Sequence, residues 1–319
     1  MAVRNRKKTI KDGQVSVKTP EKEKEPYTTG TSDLFMFLGL LALLLFGLHL
    51  VRSSMPTPTS STSSSSSSYK SSFYNCDTID TTENIVNNGQ VHARLRQIAE
   101  RNPQYQPQLL ADHVVQFDHF LTPDECQQII AVGQQYQFAE SLIVSDQGSG
   151  NARQPALRTS STLWCGLDDC ERTPVLQTLV QRLQDLLQIS AQHFEPLQLL
   201  QYEEQQFYGP HSDFASREIT RRPGPRVYTL LFYLNDVPAG GETYFPELNL
   251  TVTPRAGRAI LWSNCQNDNV HQRDPLAFHQ AWPVQTGVKY AGNVWIHLRN
   301  YREPLAQGCL QQYEERLPQ

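Results

Sequence analysis

Residues 208–213 read Tyr-Gly-Pro-His-Ser-Asp, and this stretch places His211 two positions before Asp213. Side chains two positions apart in an extended strand point to the same side, so an imidazole and a carboxylate would face one point. A second imidazole from a neighbouring strand would complete a set of two histidines and one carboxylate. Because such a set leaves coordination positions open, it is typical of non-haem Fe(II) sites.

A single pair of this kind is weak support, because a chain with nine histidines contains such pairs by chance. His193 and Glu195 form a second pair, between a predicted helix and Pro196, with no accompanying motif. We therefore interpret His193 and Glu195 as a surface pair. The case for His211 and Asp213 depends on the rest of the chain.

The residues after Pro196 form short runs rich in β-branched and aromatic side chains, separated by Gly, Pro and Asn. Such runs at close spacing predict the strands of a sandwich or barrel. Residues 240–243 (Gly-Gly-Glu-Thr) are interpreted as a turn rather than a ligand cradle, since glycine adopts positive φ. The predicted strands are 113–117, Leu197–Tyr202, Val227–Leu234, Glu242–Phe245, Leu250–Thr253, Arg258–Trp262 and Lys289–Leu298.

Helices are predicted mainly before the strands, the first at residues 84–101. Residues 122–125 (Thr-Pro-Asp-Glu) form a capping box with proline at the first helical position, which predicts a helix to about Tyr136. Residues 173–174 (Thr-Pro) repeat the start signal before a stripe of apolar side chains. Helices followed by strands predict an α+β domain with a double-stranded β-helix (jelly-roll) core and supporting N-terminal helices.

Residues 34–51 contain no formally charged side chain and are just long enough to span a bilayer as a helix. Residues 1–33 carry eight Lys or Arg against five acids, so the positive-inside rule places the N-terminus in the cytosol and the remainder in the lumen. A cleaved signal peptide is the alternative, but the long N-terminal region and the lack of an A-x-A-like site favour an uncleaved signal anchor. This predicts a single-pass type II protein of the endoplasmic reticulum or Golgi membrane.

The segment that follows is rich in Ser, Thr and Pro and includes six consecutive serines. Such a composition cannot bury enough apolar surface to order itself, which predicts a flexible stalk. The predicted divisions are a cytosolic tail (1–33), a transmembrane anchor (34–51), the stalk (52–72), an N-terminal extension (73–111), a catalytic domain (112–303) and a C-terminal tail (304–319).

The net charge of −4 and the absence of a basic stripe with interleaved aromatics exclude nucleic acid as an expected partner. All six cysteines follow the predicted anchor, where an oxidising lumen would favour disulfides. Fifteen pairings are open, and Cys165 and Cys170 are close enough in sequence to close a small loop. Asn249 begins the only N-glycosylation sequon, Asn-Leu-Thr.

Several blocks of sequence accompany His211 and Asp213. They are 114–126 (VVQFDHFLTPDEC), 158–161 (RTSS), 226–246 (RVYTLLFYLNDVPAGGETYFP) and 279–290 (HQAWPVQTGVKY). Together they closely resemble the catalytic core of the prolyl 4-hydroxylases, the Fe(II)- and 2-oxoglutarate-dependent enzymes that hydroxylate peptidyl proline. The resemblance covers roughly residues 112–303 and extends to the signal-anchored, lumenal layout. The spacing of the blocks makes it specific, since no single block would suffice.

The resemblance implies that His279 is the second imidazole, so that Fe(II) binds His211, Asp213 and His279. His271, in a predicted loop, and His297, after Lys289 in the pattern, are the rival histidines. Lys289 lies ten residues after His279, as in the family, and would pair with the distal carboxylate of 2-oxoglutarate. A lysine facing a barrel interior is costly unless it meets an anion.

The resemblance also implies that the Tyr202 hydroxyl contacts 2-oxoglutarate, with a core tyrosine as the alternative. Dioxygen is the second cosubstrate, and ascorbate would restore oxidised iron. The side chains that match family positions near the bound proline are Tyr208, Arg226, Trp295 and His297. An aromatic surface suits a stiff proline-rich ligand, although Trp295 and His297 could equally serve packing.

Two departures from the family pattern lie beside these positions. Residues 281–282 are Ala-Trp where the family often has Gly and Cys, and Tyr290 stands where Trp is commoner. None of these residues is a proposed ligand, so the departures bear on the lip of the pocket rather than on the metal.

The sequence therefore predicts a procollagen-proline 4-dioxygenase-like enzyme that forms 4-hydroxyproline, succinate and CO2 on proline-rich proteins of the secretory pathway. Collagen-like repeats and hydroxyproline-rich glycoproteins both fit as substrates, and a partner subunit or oligomer is left open. One alternative is the same chemistry on another residue or a small molecule. The other is an inactive, membrane-tethered jelly-roll binding module.

Overall fold

Two facing antiparallel sheets carry the residues singled out above. The chain's structure, a computed structural model, describes residues 83–141, 143–144, 151–152, 157–166 and 170–310. These residues belong to one compact unit, Ser71–Gln319. The predicted cytosolic tail, anchor and stalk lie outside the described residues. Across the described ranges, no helix combines the length and apolarity needed to cross a bilayer.

Most of the strand residues in the described ranges lie after residue 196. In chain order the strands are β1 (Pro107–Ala111), β2 (Val114–Phe117), β3 (Ala139–Glu140), β4 (Ile143–Val144), β5 (Asn151–Ala152), β6 (Ser161–Cys165), β7 (Leu197–Tyr202), β8 (Tyr208–His211), β9 (Arg226–Tyr233), β10 (Ala239–Gly240), β11 (Thr243–Phe245), β12 (Leu250–Val252), β13 (Ala259–Ser263), β14 (His279–Ala281), β15 (Val284–Thr286) and β16 (Lys289–His297).

The main sheet runs in the order β1-β2-β13-β9-β16-β7-β6-β3, and the minor sheet in the order β12-β11-β14-β8. Two short pairs, β10-β15 and β4-β5, lie apart from them. Neighbouring strands are antiparallel throughout the described pairs, and many neighbours are distant in sequence, as in a jelly roll. The fold is therefore a mixed α and β domain built on an antiparallel core, as predicted.

The first three of the four described helices contribute to the apolar layer on the outer face of the main sheet. The four helices are α1 (Val91–Arg101), α2 (Pro123–Tyr136), α3 (Pro174–Leu187) and α4 (Arg302–Ala306). The capping box at Thr122 is present, with its hydroxyl accepting from the Glu125 backbone N–H. The apolar stripe of α3 is buried, from Leu176 to Leu187. Thr173 precedes that helix as predicted, but its hydroxyl donates to the Cys170 carbonyl instead of capping.

Strict alternation along the main sheet separates two apolar layers. On β13, Leu261 belongs to the layer beneath the helices, whereas Ile260 and Trp262 belong to the layer between the sheets. On β9, Leu231 and Tyr233 likewise face inward. The inner face of the main sheet thus forms one wall of an enclosed space, and the minor sheet forms the other.

The sequence predicted most central strands to within a residue at each end. It was wrong about the first helix, which begins at Val91 rather than at residue 84. The preceding Asn-Asn-Gly forms a turn in which Gly89 has a φ of +80°, and this prevents the helix from extending upstream. Strands β1, β6, β14 and β15 were not predicted, since they are short and rich in polar residues or Pro.

Cys165 and Cys170 form a disulfide, which closes the small loop that their spacing suggested. Cys309 is also disulfide-bonded. Cys126 and Cys265 are free thiols and are buried. Both glycines that were predicted to lie in a turn have positive φ, but Gly240 ends strand β10, and the chain passes from there to β11 at Thr243. A Cβ at Gly240 would lie 2.3 Å from the Pro283 carbonyl oxygen.

Candidate active site

His211 and His279 are brought together by strand pairing in the minor sheet. His211 ends β8 and His279 begins β14, and the two are direct partners in the antiparallel register. The Nδ1 atom of His211 lies 3.0 Å from the Gly209 carbonyl, and that of His279 lies 3.0 Å from the Ala277 carbonyl. Because a carbonyl oxygen only accepts, each Nδ1 carries the proton, and each Nε2 keeps its lone pair for a metal.

Asp213, two residues beyond the end of β8, is the third member of the candidate metal-ligand set. Its Oδ1 lies 3.7 Å from Nε2 of His211, and its Oδ2 lies 3.8 Å from Nε2 of His279. One ligand atom from each of the three residues lies within 4.8 Å of the others. The expected extended strand through both residues was wrong in detail, since the strand ends at His211 and a bend carries Asp213 to the same point.

The protonation states suit a divalent cation. Burial, reinforced by His279, lowers the pKa of His211 to about 3, so the imidazole is neutral. Burial works to raise the pKa of Asp213, but His279 and His211 outweigh it, and that pKa lies below its ordinary value. Neutral imidazoles and an ionised carboxylate are the ligands that Fe(II) requires, so this donor set fits it.

Lys289 enters the same space from the main sheet, at the start of β16. Its side chain is 2% exposed, and Nζ donates to the Gly241 carbonyl at 2.7 Å. The ammonium also lies 5.0 Å from the ring centre of Tyr202 and 5.5 Å from that of Tyr233. Burial lowers the pKa of Lys289 to about 7, against a smaller opposing effect of Glu242. A buried cation without an ion-pair partner in the described chain is suited to an anionic ligand.

A cavity of about 930 Å³ joins these groups between the two sheets. The three candidate metal ligands and Lys289 all line it. So do four other predicted site residues, Tyr202, Tyr208, Arg226 and Trp295. Tyr202 is buried, and burial raises the pKa of its phenol, so the hydroxyl is a donor. His271, the rival histidine, is exposed in a loop away from the cavity.

Tyr208 is stacked on the first metal-site imidazole. The ring centres of Tyr208 and His211 are 3.6 Å apart, with 15° between their planes. The guanidinium of Arg158 covers the ring of Tyr208 at 4.6 Å. Arg158 also lines the cavity, which the sequence indicated only through its block of resemblance.

Arg226 does not project freely into the cavity. It forms an ion pair with Glu195 and lies over the ring of Trp295, 3.9 Å from its centre. Glu195 is 4% exposed, and the same carboxylate bonds His297 Nε2 at 2.7 Å. The interpretation of His193 and Glu195 as a surface pair was therefore wrong for Glu195, whose charge is balanced by two buried cationic or polar partners.

His297 was predicted to lie beside the substrate, and the structure corrects this placement. Its side chain is fully buried and does not line the cavity. Its Nδ1 lies 2.7 Å from the Gly224 carbonyl, and its Nε2 faces Glu195. With both ring nitrogens bonded inside the fold, His297 reaches the cavity only through Glu195 and Arg226.

Trp295 has a more exposed aromatic neighbour at the mouth of the cavity. The ring centres of Trp164 and Trp295 are 5.5 Å apart, and Trp164 is 45% exposed. Sequence analysis missed Trp164, because β6 was not predicted. The two rings and Arg226 form an aromatic and cationic lip on one side of the opening.

Comparisons with known proteins show which family this chain belongs to. Residues 197–297, which contain all four predicted catalytic residues, match the family model described as the 2OG-Fe(II) oxygenase superfamily. Probable prolyl 4-hydroxylase 3 of Arabidopsis thaliana is 31% identical over 206 residues, which cover 58% of this chain and 69% of the relative. The chain belongs to the prolyl 4-hydroxylase-like family of 2OG-Fe(II) oxygenases.

Other members of the prolyl 4-hydroxylase-like family also match this chain. Prolyl 4-hydroxylase 1 of Arabidopsis thaliana is 32% identical over 57% of this chain and 68% of its own. Prolyl 4-hydroxylase subunit alpha-1 of Rattus norvegicus is 34% identical over 50% of this chain and 30% of its own. Among solved structures, the viral collagen prolyl hydroxylase of Paramecium Bursaria Chlorella virus-1 is 23% identical, with a TM-score of 0.46, and covers 58% of this chain and 96% of its own.

Proposed function

We propose that this prolyl 4-hydroxylase-like chain hydroxylates C4 of proline residues in proline-rich proteins of the secretory pathway. The observation that carries the proposal is one cavity that contains a His-Asp-His set and, opposite it, a buried lysine without an ion-pair partner in the described chain. Family membership supplies the reaction class, and the relatives' names supply proline as the target.

His211, Asp213 and His279 would hold Fe(II). When bound together, Fe(II) and 2-oxoglutarate consume O2, decarboxylate the 2-oxo acid to succinate and CO2, and deliver one oxygen atom to the substrate C–H bond. Ascorbate would return iron that has been oxidised in uncoupled cycles. The chain itself supplies neutral imidazoles, an ionised carboxylate and a closed space.

Lys289 and Tyr202 would bind the end of 2-oxoglutarate that lies away from the metal. The Lys289 ammonium would pair with the distal carboxylate, and the Tyr202 hydroxyl would donate a hydrogen bond to the same cosubstrate. Both residues are on the main sheet, in direct register as strand partners. The pairing of Lys289 with Tyr202 across the two strands sets the distance between these residues whether or not a ligand is bound.

The lip of the cavity suits an extended proline-rich peptide. Tyr208 and Trp295 offer rings against which a proline can pack, and Arg226 can donate to a peptide carbonyl with the guanidinium edge that Glu195 leaves free. A polyproline-II segment is already extended, so it loses little conformational entropy on docking. His297 would support Arg226 through Glu195 rather than touch the peptide.

The cellular setting is a further part of the proposal. The apolar residues 34–51 and their basic flank support a type II anchor with the catalytic part in the lumen of the endoplasmic reticulum or Golgi. Cys165–Cys170 is a bond expected in an oxidising compartment. Asn249 is exposed at a turn and available for N-glycosylation there.

The direct test is turnover by the full-length chain, purified in detergent, with Fe(II), 2-oxoglutarate, ascorbate and a poly-proline peptide. We expect succinate formation that depends on the peptide, together with 4-hydroxyproline in the product. His279→Ala should reduce both to background, whereas His271→Ala, which changes an exposed loop histidine, should keep them. Peptide-independent succinate alone, with no hydroxyproline, would refute the assigned substrate.

A peptide panel then separates the open alternatives. Collagen-like repeats, Ser-Pro repeats and proline-free peptides can be scored by the mass of one added oxygen atom. Modification of a residue other than proline would assign the same chemistry to another target. A chain that binds proline-rich peptides but forms no succinate under any condition would be a binding module.

A further inference from the structure

We propose that Thr229 and Asn264 form a hydrogen-bond relay that fixes the Asp213 carboxylate and so sets the affinity of the metal site. The inference rests on the proposed function only in taking His211, Asp213 and His279 as the ligands of Fe(II). Neither Thr229 nor Asn264 was singled out by the sequence.

The relay consists of two consecutive hydrogen bonds in the interior. The Thr229 hydroxyl donates to Oδ2 of Asp213 at 2.8 Å, and Nδ2 of Asn264 donates to Oγ1 of Thr229 at 2.9 Å. Thr229 and Asn264 are fully buried, and Asp213 is 5% exposed. The bond between Thr229 and Asn264 therefore lies inside the fold, and the Asp213 carboxylate that it supports faces the cavity.

The polarity of the relay follows from the chemistry of its three groups. The ionised Asp213 carboxylate can only accept, so the single hydroxyl proton of Thr229 must point toward it. The oxygen of Thr229 then accepts a hydrogen bond, which the amide NH2 of Asn264 donates in the described structure. Asn264 thus holds the Thr229 hydroxyl in the one rotamer that donates to the metal-site carboxylate.

Both relay residues sit on backbone that cannot move easily. Thr229 is an inward-facing residue in the middle of β9, between β13 and β16. The Asn264 N–H donates to the Val227 carbonyl at 2.8 Å, and the Asn264 carbonyl accepts from Asp274 N–H at 2.9 Å. The orientation of Asp213 is therefore set by the main sheet, although the two histidines belong to the minor sheet.

A carboxylate that is oriented in advance loses less rotational freedom when it meets the ion. Hydrogen bonds to metal-ligating groups typically contribute 10- to 100-fold in metal affinity. One lone pair of Oδ2 is also occupied by the hydroxyl, which disfavours chelation through both oxygens. More coordination positions then remain for the cosubstrates.

The test measures metal binding without turnover, by anaerobic titration of the full-length apoprotein with Fe(II) and by the visible spectrum with Co(II). Thr229→Val keeps the shape and removes the hydroxyl, and we expect an Fe(II) dissociation constant about 10- to 100-fold higher, with an altered Co(II) spectrum. Thr229→Ser keeps the hydroxyl and should stay within about threefold of wild type, well short of that range.

The order of the relay is tested by a double variant. Asn264→Leu removes the donor with little change in volume and should weaken Fe(II) binding, but less than Thr229→Val. The double variant should bind no more weakly than Thr229→Val alone, because Asn264 acts only through Thr229. Additive losses would refute the relay, and so would wild-type affinity in Thr229→Val or equal losses in the Val and Ser variants.

Separate controls distinguish a failure of the relay from misfolding of a variant and from a failure of the proposed function. If Thr229→Val does not fold by circular dichroism, Thr229→Ser and Asn264→Leu carry the test: near-wild-type affinity in the first and a loss in the second support the relay, and any other result refutes it. Wild-type protein that binds Fe(II) but hydroxylates no proline would refute the proposed function while these affinities still decide the relay. Wild-type protein that binds no Fe(II) would refute both.

Discussion

Lys289 is buried between the two sheets. Its ammonium donates to the Gly241 carbonyl oxygen and lies near the rings of Tyr202 and Tyr233. Desolvation makes the charged form expensive, and its pKa of about 7 reflects this. Binding of a carboxylate would restore the favourable electrostatics. We therefore expect the protonation of Lys289 to change with pH near 7 as long as no carboxylate is bound beside it.

We predict that the affinity for 2-oxoglutarate falls as the pH rises above about 7. The cosubstrate binds the protonated lysine, and above its pKa the protonated fraction drops by up to about tenfold per pH unit. Below pH 7 the lysine is charged already, so the affinity should level off. Calorimetric titration of the metal-loaded protein between pH 6 and pH 9, without oxygen, measures this directly.

Lys289→Arg is the matched control, because a guanidinium stays charged across that range. Its affinity for 2-oxoglutarate should be nearly independent of pH, whatever its absolute value. An equal slope in wild type and Lys289→Arg would assign the pH dependence to another group. Lys289→Ala with wild-type affinity would remove the lysine from the binding site altogether.

Residue roles were predictable from sequence only where a block of resemblance or an unusual spacing marked them. His211, Asp213, His279 and Lys289, which the structure places around one cavity, were named in this way. Glu195 was not, because its partners Arg226 and His297 are 31 and 102 positions away in the chain. A buried ion pair between distant residues has no local signature, and the same holds for Thr229 and Asn264.

Among the helices, α2 and α3 are joined by an ion pair between residues that are far apart in the sequence. The Glu125 carboxylate accepts from the Thr122 N–H in the capping box and forms an ion pair with Arg182 of α3. Arg182 also donates to the Phe120 carbonyl at 2.8 Å. The capping box was predictable from residues 122–125 alone, whereas the link to α3 was not.

We predict that Glu125→Gln lowers the free energy of unfolding by about 1 kcal/mol at pH 7. The hydrogen bond from Arg182 lowers the pKa of Glu125 from 4.5 to about 2. A lowered carboxylate pKa means stabilisation that is complete above pH 4.5 and is lost as the pH falls toward 2. Urea denaturation at pH 7 and pH 3 should show the difference between variant and wild type shrinking.

Asp124→Asn serves as the control, because Asp124 lies in the same first turn and its partner is the neighbouring Gln128. It experiences the same helix dipole but has no contact with α3 in the described structure. A loss of stability as large as that in Glu125→Gln would mean that the first-turn charge, and not the link to Arg182, matters.

At the scale of the molecule, one modification tests the proposed type II orientation. Asn249 ends a short 3-10 helix, and its Oδ1 accepts from the Tyr244 hydroxyl at 3.2 Å. Its side chain is exposed, as glycosylation requires. Residues 34–51, which would set the orientation, lie outside the described residues.

We predict that the full-length chain, produced in eukaryotic cells, carries one N-linked glycan at Asn249. Digestion with an endoglycosidase should shift its electrophoretic mobility once, and Asn249→Gln should remove the shift. Protection of the glycosylated part from added protease in intact microsomes would support a lumenal catalytic domain. Full digestion there, with no glycan present, would contradict the predicted type II orientation.

The fold class was largely predictable from the sequence, but the pairing of the strands was not. Runs rich in β-branched and aromatic residues marked the long buried strands β7, β9, β13 and β16. The pairing of β8 with β14 depends on two short segments 68 positions apart at His211 and His279, and no local pattern specifies it. Only resemblance brought those two histidines together before the structure did.

The site divides its two ends between different sheets: the metal-site histidines belong to the minor sheet and Lys289 to the main sheet. Under the proposed function, the separation of the two sheets sets the distance that the carbon chain of a bound 2-oxo diacid has to span. We therefore expect a diacid one methylene shorter or longer than 2-oxoglutarate to bind more weakly. Selectivity for chain length would then follow from the spacing of the sheets as well as from the side chains that line the cavity.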